Sequence, residues 1–242
     1  IRAIADQHGL AVIGDAAHAT EARLDGRHVA AAADMTALSF YATKNLAVGE
    51  GGMLLTDSEK FFERAEVLAL HGMNRGAYKR FGATGFKLYD VVEAGYKYNM
   101  TDISAALGIE QLRRLDRRLA RRNAIWQRYD AALADLPLVR PLPSAPDTVH
   151  ARHLYTLRTT GAIDRNRLVD RIQQANIGVA VHYTALHLHS FYQKTFGYRR
   201  EDLPHAAALS DTIFSIPMTP YLSDEDVELI IGVLHEAVAE AL

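Results

Sequence analysis

Apolar residues in this chain fall into short unbroken runs near the start and into helical series further on. Ile1, Ile4 and Ala5 recur at helical spacing, and Gly9 stands where a helix stops. Leu10 to Ile13 is a continuous apolar run closing on Gly14-Asp15, the pattern of a strand buried on both faces of a parallel sheet. Met35 to Tyr41 predicts a second buried strand and Met53 to Thr56 a third, with the small, polar loop 42–52 between them. Residues 57–71 predict a helix capped by Asp57 or Ser58. From Gly72 to Asn99 the periodicity lapses into a Gly-, Tyr- and Lys-rich stretch, expected to be an irregular excursion. One long helix is then expected from Asp102 to Leu136, with Leu107, Leu112, Leu115, Leu119 and Trp126 along its apolar side.

Pro137, Pro141, Pro143 and Pro146 mark a linker. Beyond it the pattern predicts a strand near Leu154 to Arg158, a helix from Arg165 to Ala175 and a strand near Val179 to His182. A final amphipathic helix from Ser223 to Leu242 is capped by Ser223, with Glu225 and Asp226 in its first turn. Strands alternating with helices imply an α/β fold. The expected division is a first domain over 1–136, ending in the long interdomain helix, and a small C-terminal α/β domain over 137–242. The chain opens inside a helical pattern without an initiator Met, so its beginning reads as truncated.

Composition narrows the possibilities. Lys and Arg number 27 against 29 Asp and Glu, a balance with no electrostatic footprint for nucleic acid or an acidic membrane. The arginines from Arg113 to Arg122 form a basic stripe, but carboxylates are sparse and stacking aromatics missing around them. They read as a solvated or partner-facing helix side. Without cysteine there is no disulfide framework, thiolate nucleophile or thiolate metal site. That fits a cytoplasmic enzyme without excluding export. No apolar run approaches the roughly 18 residues that cross a bilayer, and no signal peptide is expected at the start.

Candidate chemistry gathers in three neighbouring stretches. Asp15 ends the first predicted strand and is followed by Ala16-Ala17-His18-Ala19. Ser39-Phe40-Tyr41-Ala42-Thr43-Lys44-Asn45 ends the second, and Gly49-Glu50-Gly51-Gly52 leads into the third. In open α/β sheets ligands bind beyond the carboxyl ends of the strands, where Asp15 and Lys44 would project. Taken singly, each has a plainer reading: Asp15 as a turn former, Lys44 as a surface charge, the glycines as a hairpin. Together, a lysine among small residues near a strand-end acid is what a bound aldehyde cofactor needs.

These stretches, with GYKYNMTDISAALGIEQL (95–112), RHLY, NIGVAVHY, LHLHSFY and SIPMTP in order behind them, resemble the DegT/DnrJ/EryC1/StrS family of sugar aminotransferases. The likeness runs through essentially the whole chain. It is nearest to the branch that aminates the 4-keto position of a sugar, including 4-amino-4-deoxy-L-arabinose synthesis for lipid A. The resemblance implies a fold-type I enzyme dependent on pyridoxal phosphate (PLP), here the later part of the large mixed-sheet domain plus the small C-terminal domain. It implies an amino-acid donor, with glutamate the usual one, a nucleotide-linked keto sugar as acceptor, and a homodimer whose sites are shared.

Carried over by position, Lys44 is the lysine that joins PLP as a Schiff base and later shuttles the proton. Asp15 pairs with the pyridinium nitrogen, His18 contacts the ring or its phenolic oxygen, and Ser39 gives its hydroxyl to the phosphate. The family often has Asn where this chain has Lys97 and Arg where it has Asn99, so either one can reach the neighbouring subunit's phosphate; the reading leans to Asn99. His182 faces the sugar. The family's phosphate-seating helix N-terminus and its ring-stacking aromatic are expected upstream of Ile1.

His182, His187 and His189 also invite a second reading, a metal-dependent hydrolase, although no HExxH or carboxylate partner stands nearby. A strand-ending histidine is the plain alternative for His182. Two further alternatives are a catalytically silent PLP-fold sensor and a PLP-type sugar dehydratase. The Asp15, His18 and Lys44 set argues against the sensor, and Lys44 alone against the dehydratase.

Overall fold

A computed structural model describes residues 1–74, 89–161 and 163–242. The chain folds as two compact units. One comprises Ile1–Asp116 with Ala145–Ala151, the other Arg117–Ser144 with Arg152–Leu242.

In the first unit, α1 (Arg2–Gln7) leads to β1 (Ile13–Asp15), a small pair β2 (Arg23–Leu24) and β3 (Arg27–His28), then β4 (Met35–Ser39) and β5 (Gly52–Leu55). The helices α2 (Glu59–Ala69) and α3 (Asp102–Arg113) follow, and α4 (Leu115–Ala132) begins here. The main sheet has the order β1-β4-β5, with β1 parallel and β5 antiparallel to β4. Its register sets Asp15 opposite Ala37 and Ser39 opposite Gly52. Asp34, just before β4, accepts from the Val12 N–H at 2.6 Å and from Arg2 at 2.8 Å. Those donors, the backbone N–H foremost, hold its carboxyl below the usual range.

Several expectations hold and several are corrected. Ser58 is the cap of α2, accepting the Phe61 N–H, and Gly9 ends the first helical stretch in a left-handed conformation. The first strand is shorter than its apolar run and is not buried on both faces: it lies at a sheet edge and Ile13 is 67% exposed. The single long helix is two, because at Arg114 the backbone leaves the regular ladder and its N–H turns to the Gln111 carbonyl at 3.2 Å. Leu115, Leu119 and Trp126 are buried, whereas Leu107 and Leu112 on α3 are 47% and 58% exposed. Periodicity marks an apolar side without saying what packs on it.

The Gly72–Asn99 excursion is described only at its ends, residues 75–88 lying outside the described residues. Those ends are tied to each other and to the end of α2. The His71 N–H donates to the Tyr96 carbonyl and the Tyr98 N–H to that of Ala69, at 2.7 and 2.8 Å. A Cβ on Gly72 would fall 1.8 Å from the Glu93 carbonyl oxygen, so only glycine fits that approach.

The second unit carries β6 (Leu138–Val139), β8 (Tyr155–Thr159) and β9 (Ile213–Ile216) as an antiparallel sheet; β7 (Thr148–Val149) pairs with β2 in the first unit. Four helices complete it: α5 (Arg165–Gln174), α6 (Ser190–Phe196), α7 (Pro204–Thr212) and α8 (Asp224–Ala241). Ile125, Trp126, Tyr129 and Leu133 of the α4 stretch share one core with Tyr155, Leu157, Phe214, Leu168, Ile172, Val227 and Leu234. That burial draws most of α4 into the second compact unit, which takes in the chain from Arg117. Tyr129 donates to the Pro217 carbonyl and Tyr155 to Asp130, and burial pushes both phenols well above their usual pKa.

No strand forms at Val179–His182. Only Ala180 pairs, with Ser215. α6, α7 and β9 were not expected from the periodicity. The arginine stripe, which looked short of acids, meets one in α8, where Arg121 pairs with Asp224 at 2.9 Å; Arg128, beyond the stripe, pairs with Asp224 at 2.7 Å and with Glu228. Ser223 and Asp226 form the reciprocal cap of that helix. Among the described residues no helix is long and apolar enough to cross a membrane.

Leu234 is fully buried in this core. Leu234→Ala is expected to lower unfolding free energy by about 2–5 kcal/mol, from lost transfer energy and a residual cavity. Urea unfolding followed by circular dichroism measures it; a change within error would mean that the site collapses without a void.

Candidate active site

Because β1 and β4 run parallel, their carboxyl ends share one edge of the main sheet, and β5 starts from that same edge. Asp15 is the last residue of β1 and Ser39 the last of β4. Asp15 is exposed, and its Oδ1 accepts from the Ala17 N–H at 3.0 Å, an Asx turn that bends the chain toward His18. His18 is exposed on that turn. The Ser39 Oγ accepts from the Tyr41 N–H at 3.4 Å, which leaves its hydroxyl hydrogen for another acceptor.

The loop from β4 to β5 is anchored on both sides of Lys44. Phe40, Leu46 and Val48 are buried with Leu115, and Leu38 and Met100 pack against them. Backbone bonds close the loop: Phe40 N–H to Gly51 O, Val48 N–H to Phe40 O and Lys44 N–H to Tyr41 O, each at 2.9 Å. Gly49 adopts φ +91°, and a Cβ on Gly52 would stand 2.8 Å from the Leu38 carbonyl oxygen. The glycines after Lys44 therefore let the chain reverse and re-enter the sheet against β4. Lys44 itself is half-buried.

Asn45, beside it, donates from Nδ2 to Glu21 Oε2 at 3.0 Å and to the Ala151 carbonyl at 2.8 Å. Sequence reading passed over both Asn45 and Glu21. They are 24 residues apart, and nothing local to either announces the other.

Asp15 and Ser39 thus end two paired strands of the first unit, and His18 and Lys44 lie in the segments that follow them. Asn99 lies in the same unit, one residue before Met100, which packs on the Phe40–Leu46–Val48 anchor. Its Oδ1 accepts from the Lys97 ammonium, so the two residues that competed for one role are partners in this chain. An apolar cavity of about 490 Å³ lies behind the lysine loop, walled by Phe40, Leu46, Leu55, Met100, Ile109 and Leu112 among others. Its one titratable lining side chain among the described residues is His28, whose ring nitrogens meet the Thr20 carbonyl and the Ala30 N–H.

His182 belongs to the second unit, where its Nδ1 meets Ser215 Oγ at 2.9 Å. His187 is buried and His189 exposed. Among the described residues no group of three or more His, Cys, Asp or Glu could hold a metal ion. His182, His187 and His189 therefore make no such group.

The sheet edge therefore joins a carboxylate acceptor, a primary amine and a hydroxyl donor. Such a set can protonate a ring nitrogen, attack or release a carbonyl carbon, and hold an anionic group.

The model of the DegT/DnrJ/EryC1/StrS aminotransferase family matches residues 1–235. The spore coat polysaccharide biosynthesis protein SpsC of Bacillus subtilis is 42% identical over 246 residues, covering 100% of this chain and 63% of its own length. Spr1654 of Streptococcus pneumoniae, described as a sugar aminotransferase, superposes in its PMP form with a TM-score of 0.88 at 32% identity, over 96% of this chain and 60% of that one. Its PLP form gives 0.86 at 33%, over 96% and 59%. The aminotransferase TlmJ of Streptoalloteichus hindustanus gives 0.87 at 29%, over 99% and 62%. The chain spans about three-fifths of the length of these relatives.

Proposed function

The chain belongs to the DegT/DnrJ/EryC1/StrS aminotransferase family, with the fold-type I architecture of its relatives, and from that premise we propose a PLP-dependent transfer of an amino group from an amino acid to a nucleotide-linked keto sugar. Glutamate is the donor in this reading, and the site is cytoplasmic and shared between two copies of the chain. The observation that supports it is that Asp15 and Ser39 end the parallel strands β1 and β4 on one side of the sheet, with Lys44 in the loop that leaves β4.

The donor set fits the cofactor. PLP needs an anionic partner for its ring nitrogen, an amine for its aldehyde and N–H or O–H donors for its phosphate, and Asp15, Lys44 and Ser39 are groups of those kinds. When bound, it supplies an electron sink for charge developing on the carbon that bears the amine.

This chain's residues do the rest. Asp15 holds the proton on the ring nitrogen, and its Asx turn fixes where the carboxylate points. The Lys44 amine would take the proton from the donor's amine-bearing carbon as general base. In the second half-reaction it delivers a proton to the sugar carbon, as general acid. His18 orients the ring, the Ser39 hydroxyl donates to the phosphate and His182 contacts the sugar. Asn99 belongs to the site of the neighbouring copy, with Lys97 able to exchange its present contact for the phosphate.

Ping-pong order makes this testable without the sugar. Purified holoprotein is expected to show the visible band of lysine-bound PLP, to lose it on addition of glutamate, and to release 2-oxoglutarate in proportion to the sites. Protein that retains no chromophore after incubation with PLP would sink the cofactor reading. A chromophore indifferent to glutamate would sink the donor.

A further inference from the structure

We infer that Asn45 is a positioning residue for Lys44: its amide, bound to the buried Glu21 carboxylate and the Ala151 carbonyl, fastens the lysine loop to the loop that carries Asp15. The inference rests on the reading of Lys44 as the cofactor-bearing amine.

A lysine reaches its target through a flexible four-carbon stem, so the place of its amine depends on how well the backbone under it is held. The apolar anchors Phe40, Leu46 and Val48 bury the loop's flanks without giving direction. Direction comes from hydrogen bonds, and Asn45, adjacent to Lys44, has two N–H donors and commits them to two separate segments. Glu21 is only 6% exposed, and a hydrogen bond from an amide to a desolvated carboxylate is stronger than one made in water.

Glu21 lies on the run of chain that leaves Asp15. That run is itself fixed to the sheet and to β3: Ala16 N–H donates to the Ala37 carbonyl at 2.9 Å, Ala19 N–H to Ala16, and His28 Nε2 meets the Thr20 carbonyl at 2.8 Å. The bond from Asn45 to Glu21 therefore joins two preorganised loops, one bearing the acid and one the amine. Ala151 O adds a third fixed point from the segment that follows β7. A reacting amine and its acid gain from being held in register, since displacement by about 1 Å can cost about a hundredfold in rate.

The test is Asn45→Asp, which keeps the size of the side chain and turns a donor into a carboxylate facing Glu21. Two carboxylates at that contact repel, and the lysine loop should give way. Two readouts apply. In cofactor-free protein, the rate at which a water-soluble amine-acylating reagent labels Lys44 is followed by peptide mass mapping, with Lys60 and Lys194 as internal controls. In holoprotein, kcat and KM for the donor half-reaction are measured separately.

Expected for Asn45→Asp is a severalfold rise in Lys44 labelling relative to the controls, with kcat down by up to about a hundredfold and KM little changed. Adding Glu21→Gln should return both toward wild type, because the new amide can donate to the new carboxylate. If the single variant folds poorly, Asn45→Ala removes both donors without adding charge and is read by the same labelling ratio.

Loss of thermal stability with an unchanged labelling ratio and unchanged kcat per folded molecule would make Asn45 a fastener of the fold only, and overturn the inference. So would a double variant that stays as impaired as the single one. Were the protein to bind no PLP, wild type would lack the visible band, while the labelling ratio in cofactor-free protein would still decide the role of Asn45.

Discussion

Lys44→Ala is expected to abolish transamination while leaving the fold in place. Lys44 is half-buried in a loop whose folding rests on Phe40, Leu46 and Val48, and on backbone bonds that a side-chain truncation leaves intact. What is lost is the amine that carries the cofactor and then moves the proton. General acid–base catalysis alone accounts for about 10²–10⁴-fold of such a rate, and loss of the covalent attachment adds to it. Borohydride reduction of the wild-type holoprotein, followed by peptide mapping, is expected to find the pyridoxyl group on Lys44. In Lys44→Ala a small exogenous amine should restore part of the proton transfer, because only the base is missing. A pyridoxyl label on Lys97, or turnover of the variant near the wild-type rate, would reject the assignment.

Asp15→Asn should give the second-largest loss, again with little change in stability. The asparagine side chain keeps an oxygen that can accept the Ala17 N–H, so the Asx turn that shapes the start of the His18 loop survives. The negative charge does not survive. Without it the ring nitrogen is not held protonated, and the charge that develops on the substrate carbon loses its sink. The glutamate half-reaction, followed by stopped-flow loss of the visible band, is expected to slow by several orders of magnitude. The thermal midpoint should barely move. A half-reaction near the wild-type rate would reduce Asp15 to a turn former at a strand end.

Local chemistry made part of this protein legible in its residues. Ser58 and Ser223 announced helix starts because a cap acts on N–H groups two or three residues away. Met35 to Tyr41 and Met53 to Thr56 were readable as strands, which form over Met35–Ser39 and Gly52–Leu55, and the carboxyl-end rule for α/β sheets predicts that Asp15 and Lys44 project at one edge. The parallel register of β1 and β4 then gave that expectation its geometry.

Other features answer to partners far along the chain. Periodicity carried one helix from Asp102 to Leu136, yet the chain breaks at Arg114, and Leu107 and Leu112 stay exposed while Trp126 is buried. Val179–His182 has strand-forming residues but only Ala180 finds a partner. Arg121, in the stripe from Arg113 to Arg122 that looked short of acids, meets Asp224, about a hundred residues on. The three histidines had a suggestive spacing, yet among the described residues they form no group that could hold a metal ion. Asn45 and Glu21 are an amide and a carboxylate of no local distinction, joined only when the two loops fold against each other. The sequence by itself determined which residue types stand at strand ends and helix caps, because those effects act over a turn or two of backbone. Which charges pair, which apolar faces are covered and what braces Lys44 were decided by the tertiary structure, since hydrogen bonds and burial depend on distance in space, and spacing along the chain does not encode it.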